Sequence, residues 1–177
     1  MNARLQRIAY EVALAAARYS QTKSADYDDE DGSWVVVKDF PLPPGYNYER
    51  TDVLILLPPN YPQTPPDWFY VDDNLRLADG RKPSHVFYNE TRFDPNRASP
   101  LADAPPQMKG WTACCLHIHS WKPAANPLMG HSLLSVCELI RGALKRWKRN
   151  PEEFVLFTLE DDDDLDDFVI EDDDPFR

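Results

Sequence analysis

Residues 110–123 read Gly-Trp-Thr-Ala-Cys-Cys-Leu-His-Ile-His-Ser-Trp-Lys-Pro and hold two of the three cysteines and two of the four histidines in the 177-residue chain. Successive side chains of an extended segment point to opposite sides. If Cys114 to His119 is extended, Cys115, His117 and His119 share one face, and Cys114, Leu116 and Ile118 share the other. The second set is what a core would take. Cys114 is then packing and Cys115 is the candidate nucleophile, with two imidazoles placed to tune its thiolate or move a proton. The same three side chains could instead bind zinc or iron, with His131 or an acidic group as fourth ligand, although no second group of ligands stands at a recognisable spacing. A third reading is structural, because cysteine is among the residues most often simply buried.

The length suits one domain with a sizeable core. Net charge is -11, but it is unevenly spread. Residues 160–174 hold eleven of the thirty acidic residues and no Lys or Arg, so the remainder is close to neutral. Such a body carries no electrostatic footprint for nucleic acid or an anionic membrane. The sequence has no apolar run long enough to span a bilayer and no signal-peptide core. Three cysteines, two of them adjacent, make a poor disulfide framework. A cytoplasmic protein with reduced thiols is expected.

The elements that would hold the cysteine stretch follow from periodicity. Leu5, Ile8, Val12, Ala15, Ala16 and Tyr19 recur at three and four, with Arg4, Arg7, Glu11 and Arg18 between them, which predicts an amphipathic helix over 3–19. Ser20 to Ser33 is polar and acidic and reads as a loop. Strands are expected from Trp34, over Thr51 to Leu57, and over Trp68 to Val71. Between the last two lie five prolines in nine residues, Pro58 to Pro66, a density that no regular element survives. It reads as a rigid crossover. Residues 78–110 lack a period and suggest a flap before the cysteine stretch. Asn126-Pro127 or Ser132 opens a second helix carrying Leu133, Val136, Cys137, Ile140, Leu144 and Trp147 on one stripe, with Cys137 as core. Phe154 to Leu159 reads as a further strand or a helical turn docked on the body. The domain is expected over 1–159, and 160–177 as an acidic tail that buries little.

Phe40-Pro41-Leu42-Pro43-Pro44-Gly45-Tyr46-Asn47, Leu57-Pro58-Pro59-Asn60-Tyr61-Pro62-Gln63-Thr64-Pro65-Pro66 and Leu75-Arg76-Leu77-Ala78-Asp79-Gly80-Arg81, with strands between them, resemble the prokaryotic ubiquitin-conjugating-enzyme-like proteins of family E. The order of helix, strand meander, Tyr-Pro turn, cysteine stretch, Trp-x-Pro and helix is similar to conjugating enzymes in general. The resemblance covers roughly residues 1 to 148. It implies an α+β domain with the ubiquitin-conjugating-enzyme-like fold, an antiparallel meander with the N-terminal and C-terminal helices packed on one face.

In that resemblance a cysteine a few residues before Trp-x-Pro accepts a ubiquitin-like protein as a thioester. Cys115 stands six residues before Trp121-Lys122-Pro123, with Leu116 after it as in the family pattern. The alternation argument selects the same residue. His117 or His119 could take a proton from the incoming thiol or amine, and no cofactor is called for. The implied partners are a ubiquitin-like modifier, an activating enzyme and a protein target, in a bacterial operon linked to anti-phage defence. Two departures stand out. The His-Pro-Asn of the eukaryotic-type enzymes is absent, Asp94-Pro95-Asn96 being the nearest imitation, and many family E members have Ser-Arg-His where this chain has its cysteines. A catalytically silent partner-binding domain of the same fold is the other outcome consistent with the pattern, beside the metal site.

Overall fold

The computed structural model describes residues 3–84, 86–87, 110–116 and 118–147, and for 86, 87 and 115 the backbone alone. Helix α1 spans Ala3–Tyr19. Six strands follow, β1 Ala25–Tyr27, β2 Trp34–Pro41, β3 Arg50–Leu56, β4 Trp68–Asp72, β5 Val86–Phe87 and β6 Trp111–Cys115, then helix α2 over Leu133–Arg146. The strands form one sheet in the order β1-β2-β3-β4-β6-β5, every pairing antiparallel. Both helices pack on one face of this sheet. The domain is therefore α+β with the ubiquitin-conjugating-enzyme-like arrangement.

The helix periodicity is used as the spacing predicts. All six apolar residues of the α1 stripe are buried, and so are Leu133, Val136, Cys137, Ile140 and Leu144 of α2. They close over a row of strand residues that the register aligns, Val35, Ile55, Phe69 and Cys114. A fully buried side chain of this size contributes about 1.5–3 kcal/mol, so this interior dominates the stability of the fold.

Two differences from the expected strands have local causes. Ser20 to Ser33 contains β1, whose three residues pair with Val35, Val36 and Val37. Asp28 shapes the turn between β1 and β2: its carboxylate accepts from the N–H groups of Glu30, Asp31 and Ser33 and from the Ser33 hydroxyl. These bonds hold its carboxyl at about 2, below the usual carboxylate value, the Ser33 hydroxyl contributing most. Strand β2 also runs on past Val37 through a bulge. Asp39 takes a φ of 49° there, and its N–H donates to the Asp52 carboxylate at 2.9 Å. The extra residue turns both Val37 and Phe40 inward, and both are 0 % exposed.

The proline-rich crossover carries Tyr61, 1 % exposed and part of the interior, with a cis Tyr61-Pro62 bond. At the C-terminal end of α2 the Tyr46 hydroxyl donates to the Leu144 carbonyl at 2.7 Å. Lys145 and Arg146 fill the last turn, where positive charge is favourable. Most of the expected flap, with His85 and Asp94-Pro95-Asn96, and the whole of Phe154 to Leu159 and the acidic tail lie outside the described residues.

Candidate active site

Strand β6 delivers the cysteine pair. Its first residue, Trp111, pairs with Asp72 and its last, Cys115, pairs with Trp68. The ladder is carried one step further by the Leu116 N–H, which donates to the Asp67 carbonyl at 2.9 Å. Cys114 is 0 % exposed and lies in the helix-covered interior. Leu116 is buried in the same cluster and Ile118 packs against it. His119 is exposed. The alternation read from the sequence therefore holds at Cys114, Leu116, Ile118 and His119, even though the regular strand begins at Trp111 and ends at Cys115. The Cys115 thiol and all of His117 lie outside the described residues.

The Trp-x-Pro segment beyond the strand is held from several directions. The Trp121 indole N–H donates to the Pro62 carbonyl at 2.6 Å, and its ring lies 6.3 Å from that of Tyr61. On its other side the His131 ring stacks at 5.4 Å and 18°. His131 Nδ1 accepts the Lys122 N–H at 2.7 Å, and the His131 N–H returns to the Lys122 carbonyl at 3.0 Å. Asn126 caps a short 3-10 turn, Pro127–Met129, through its side-chain oxygen on the Leu128 N–H. Gly130 is needed where the chain doubles back, because a Cβ there would meet Ala124 N at 2.7 Å and the Lys122 carbonyl oxygen at 2.8 Å.

All of this is tied to α1 by Glu11. Its carboxylate is 0 % exposed and accepts from Arg7 Nε at 2.6 Å, from the Leu133 N–H at 2.9 Å and from the Tyr61 hydroxyl. Burial, and then the Glu11 charge, push the Tyr61 phenol far above its usual value, so it stays protonated and donates. The Leu133 N–H belongs to the first turn of α2, which has no partner within its own helix. Arg7 reaches on to the carbonyls of Ala124 and Ala125. One buried ion pair thus joins α1, the proline-rich crossover, the Trp-x-Pro segment and the start of α2.

Sequence reasoning set Glu11 on the polar side of the helix and gave Arg7 no role. The signal was present: Glu11 stands three residues after Ile8 and four before Ala15, which is the spacing of the apolar stripe itself. The third cysteine, Cys137, is fully buried in the interior, and burial pushes its thiol up to about 12. That suits packing and not chemistry. Asp39, Asp52, Asp72, Asp73 and Trp111 line a cleft of about 510 Å³ at the far end of β6. Four residues along a strand are about 13 Å, which separates this cleft from Cys115. No described helix is long and apolar enough to cross a membrane.

The family model described as Prokaryotic E2 family E matches residues 15–146, from within α1 to the last residue of α2. No curated protein and no solved structure matches the chain. The matched span takes in the whole sheet, the cysteine strand and the clamped Trp-x-Pro. The chain belongs to the prokaryotic E2 family E, and its role is that of a conjugating-enzyme-like transferase working with ubiquitin-like modifiers and activating enzymes.

Proposed function

We propose that Cys115 accepts the C-terminus of a ubiquitin-like protein as a thioester and passes it to an amine, a lysine of a protein target. In the first step the Cys115 thiolate attacks the carbonyl of the thioester on the activating enzyme. A new S–C bond forms, the old one breaks, and the partner's cysteine leaves with the electron pair. In the second step the target amine attacks the new thioester, an amide forms, and Cys115 departs as thiolate while the amine loses a proton. His119, exposed three residues beyond Leu116, whose N–H is held by the Asp67 carbonyl, and His117 are the proposed proton carriers. Such carriers are worth typically about a hundredfold to ten-thousandfold.

The observation that carries this reading is the contrast between the two adjacent cysteines. Cys114 is sealed in the interior, while Cys115 is the terminal residue of its strand, between the Phe69–Cys114 register pair and the anchored Leu116. A thioester-bearing residue needs a fixed backbone and an approachable sulfur, and only Cys115 of the pair is left for that role. The setting implied by the family, an operon with its own modifier and activating enzyme and a part in anti-phage defence, belongs to the same proposal.

Intact mass after co-expression with the genomic neighbours tests it, with and without reductant, for wild type, Cys114→Ser and Cys115→Ser. The expected result is a reductant-sensitive adduct that survives Cys114→Ser and disappears in Cys115→Ser. An adduct lost only in Cys114→Ser moves the chemistry to the wrong residue. Absence of any adduct removes the enzyme reading and leaves partner binding or a metal site, which native mass spectra separate.

A further inference from the structure

The outer face of α2 holds a glycine that the fold itself does not ask for. Gly142 stands in the interior of a 14-residue helix, where glycine is destabilising relative to alanine. Its backbone is helical, without the positive φ that favours glycine. Among the described residues a Cβ built there would meet the Arg146 guanidinium alone, at 3.5 Å, an ordinary contact. One turn earlier on the same side Leu139 is 39 % exposed. One turn later stand Lys145 and Arg146, both exposed. No carboxylate among the described residues pairs with either. The Ser84 N–H donates to the Trp147 carbonyl at 3.3 Å, which brings the exposed Lys82 to the same end of the helix. The missing side chain thus leaves a notch with an apolar side and a basic rim, on a chain whose net charge is -11.

We propose that residues 165–170 of the chain's own acidic tail, Leu-Asp-Asp-Phe-Val-Ile, dock in this notch. The two chemistries are complementary. Residues 160–174 carry eleven acidic side chains and no basic one, and their apolar residues are Leu165, Phe168, Val169 and Ile170. An apolar centre with acidic flanks meets an apolar notch with a basic rim. The uncharged stretch 154–159 offers nothing to that rim. With no Cβ at position 142, the Phe168 ring can approach the helix backbone closely, a use that selects glycine elsewhere. The tether fits as well. Leu139 lies eight residues back from Trp147, about 12 Å along the helix. Seventeen residues, 148–164, separate Trp147 from Leu165, and a flexible chain of that length spans about 23 Å on average. The tail can therefore turn back to α2 without strain, at an effective concentration in the millimolar range. Docking sets its acidic flanks against Lys145 and Arg146, at the helix end that lacks counter-charge among the described residues.

The proposal is independent of thioester chemistry at Cys115 and leaves the cysteine-bearing face of the sheet open. It is tested in the full chain with p-benzoylphenylalanine in place of Phe168, which keeps a large aromatic group there. Isotopically heavy and light chains are mixed, irradiated, digested and mapped. Links within one chain to Leu139, Lys145 or Arg146 are expected. Links to the sheet or to α1, links joining a heavy to a light chain, or no link at all overturn it. Two further variants read the notch and its rim separately. Gly142→Leu fills the notch with a better helix former, so the helical circular dichroism and the melting temperature are kept or raised while the yield of links falls at least fivefold. Lys145→Glu with Arg146→Glu keeps the helix and lowers the yield to a similar degree. A yield unchanged by either variant refutes the docking.

Discussion

Glu11→Ala should be among the most damaging single changes outside the apolar interior. It takes away the acceptor for the Leu133 N–H and the Tyr61 hydroxyl, leaving two donors inside a site where Glu11 is 0 % exposed and Tyr61 1 % exposed. A stranded buried donor costs about 1–3 kcal/mol, and breaking a buried ion pair by removing one partner about 3–5 kcal/mol. These contributions overlap and do not sum. Arg7 also keeps its bonds to the carbonyls of Ala124 and Ala125, which lowers its share. The expected loss is about 3–5 kcal/mol, a large part of the stability of an ordinary domain. Glu11→Gln keeps one carbonyl acceptor and should lose less. Tyr61→Phe, which leaves Glu11 with two donors, should cost about 1 kcal/mol. Urea unfolding followed by circular dichroism reads all three as shifts in midpoint with unchanged slope. The double variant Glu11→Ala with Tyr61→Phe should lose less than the sum of the singles, because the second change deletes a donor the first has already stranded. A loss under about 1 kcal/mol for Glu11→Ala, or strict additivity, would refute the idea that this carboxylate joins the four segments.

Gly130→Ala should push apart the two arms of the turn after Trp121, since its Cβ would lie within 3.0 Å of backbone atoms of Ala124 and Lys122. A loss of about 1–3 kcal/mol, with slower formation of the Cys115 adduct, is expected in a melt and a charging assay; an unchanged melt sinks the packing argument. Native alkylation with iodoacetamide at pH 8 should spare Cys114 and Cys137, both buried, and mark Cys115, as peptide mapping will show; early labelling of Cys137 would contradict its raised thiol pKa of about 12. Asp28 has a folded value of about 2, below its ordinary one, so its contribution is complete above about pH 4 and is lost as pH falls through 2. The gap in denaturation midpoint between wild type and Asp28→Asn should therefore be constant from pH 7 to about 5 and close below 4. A gap that widens on acidification would mean the sign is wrong.

Local pattern was enough for much of this chain. The two helices follow from apolar residues at three and four, the start of α2 from Ser132, the later of the two positions the sequence offered, Asn126-Pro127 opening a 3-10 turn instead, and the inward turn of Cys114, Leu116 and Ile118 from the period of two. The proline-rich segments and the Cys-Leu before Trp-x-Pro carried the family resemblance. These are short-range properties: a helix stripe or a strand face is set by residues within one or two turns of each other. Strands β1 and β5 were invisible for the complementary reason, because segments of three and two residues are strands only through the ladder a neighbour supplies.

Glu11 was the sharper failure, and the network it centres on belongs wholly to tertiary structure. Its partners Tyr61 and Leu133 are 50 and 122 residues away, and a carboxylate on a helix stripe reads as solvated until the structure shows donors brought to meet it. The candidate nucleophile was thus named by the sequence, through alternation and its distance from Trp-x-Pro. The rigid seat behind it was decided by the fold, since buried hydrogen bonds form between whatever groups packing brings together, at separations that no local spacing records.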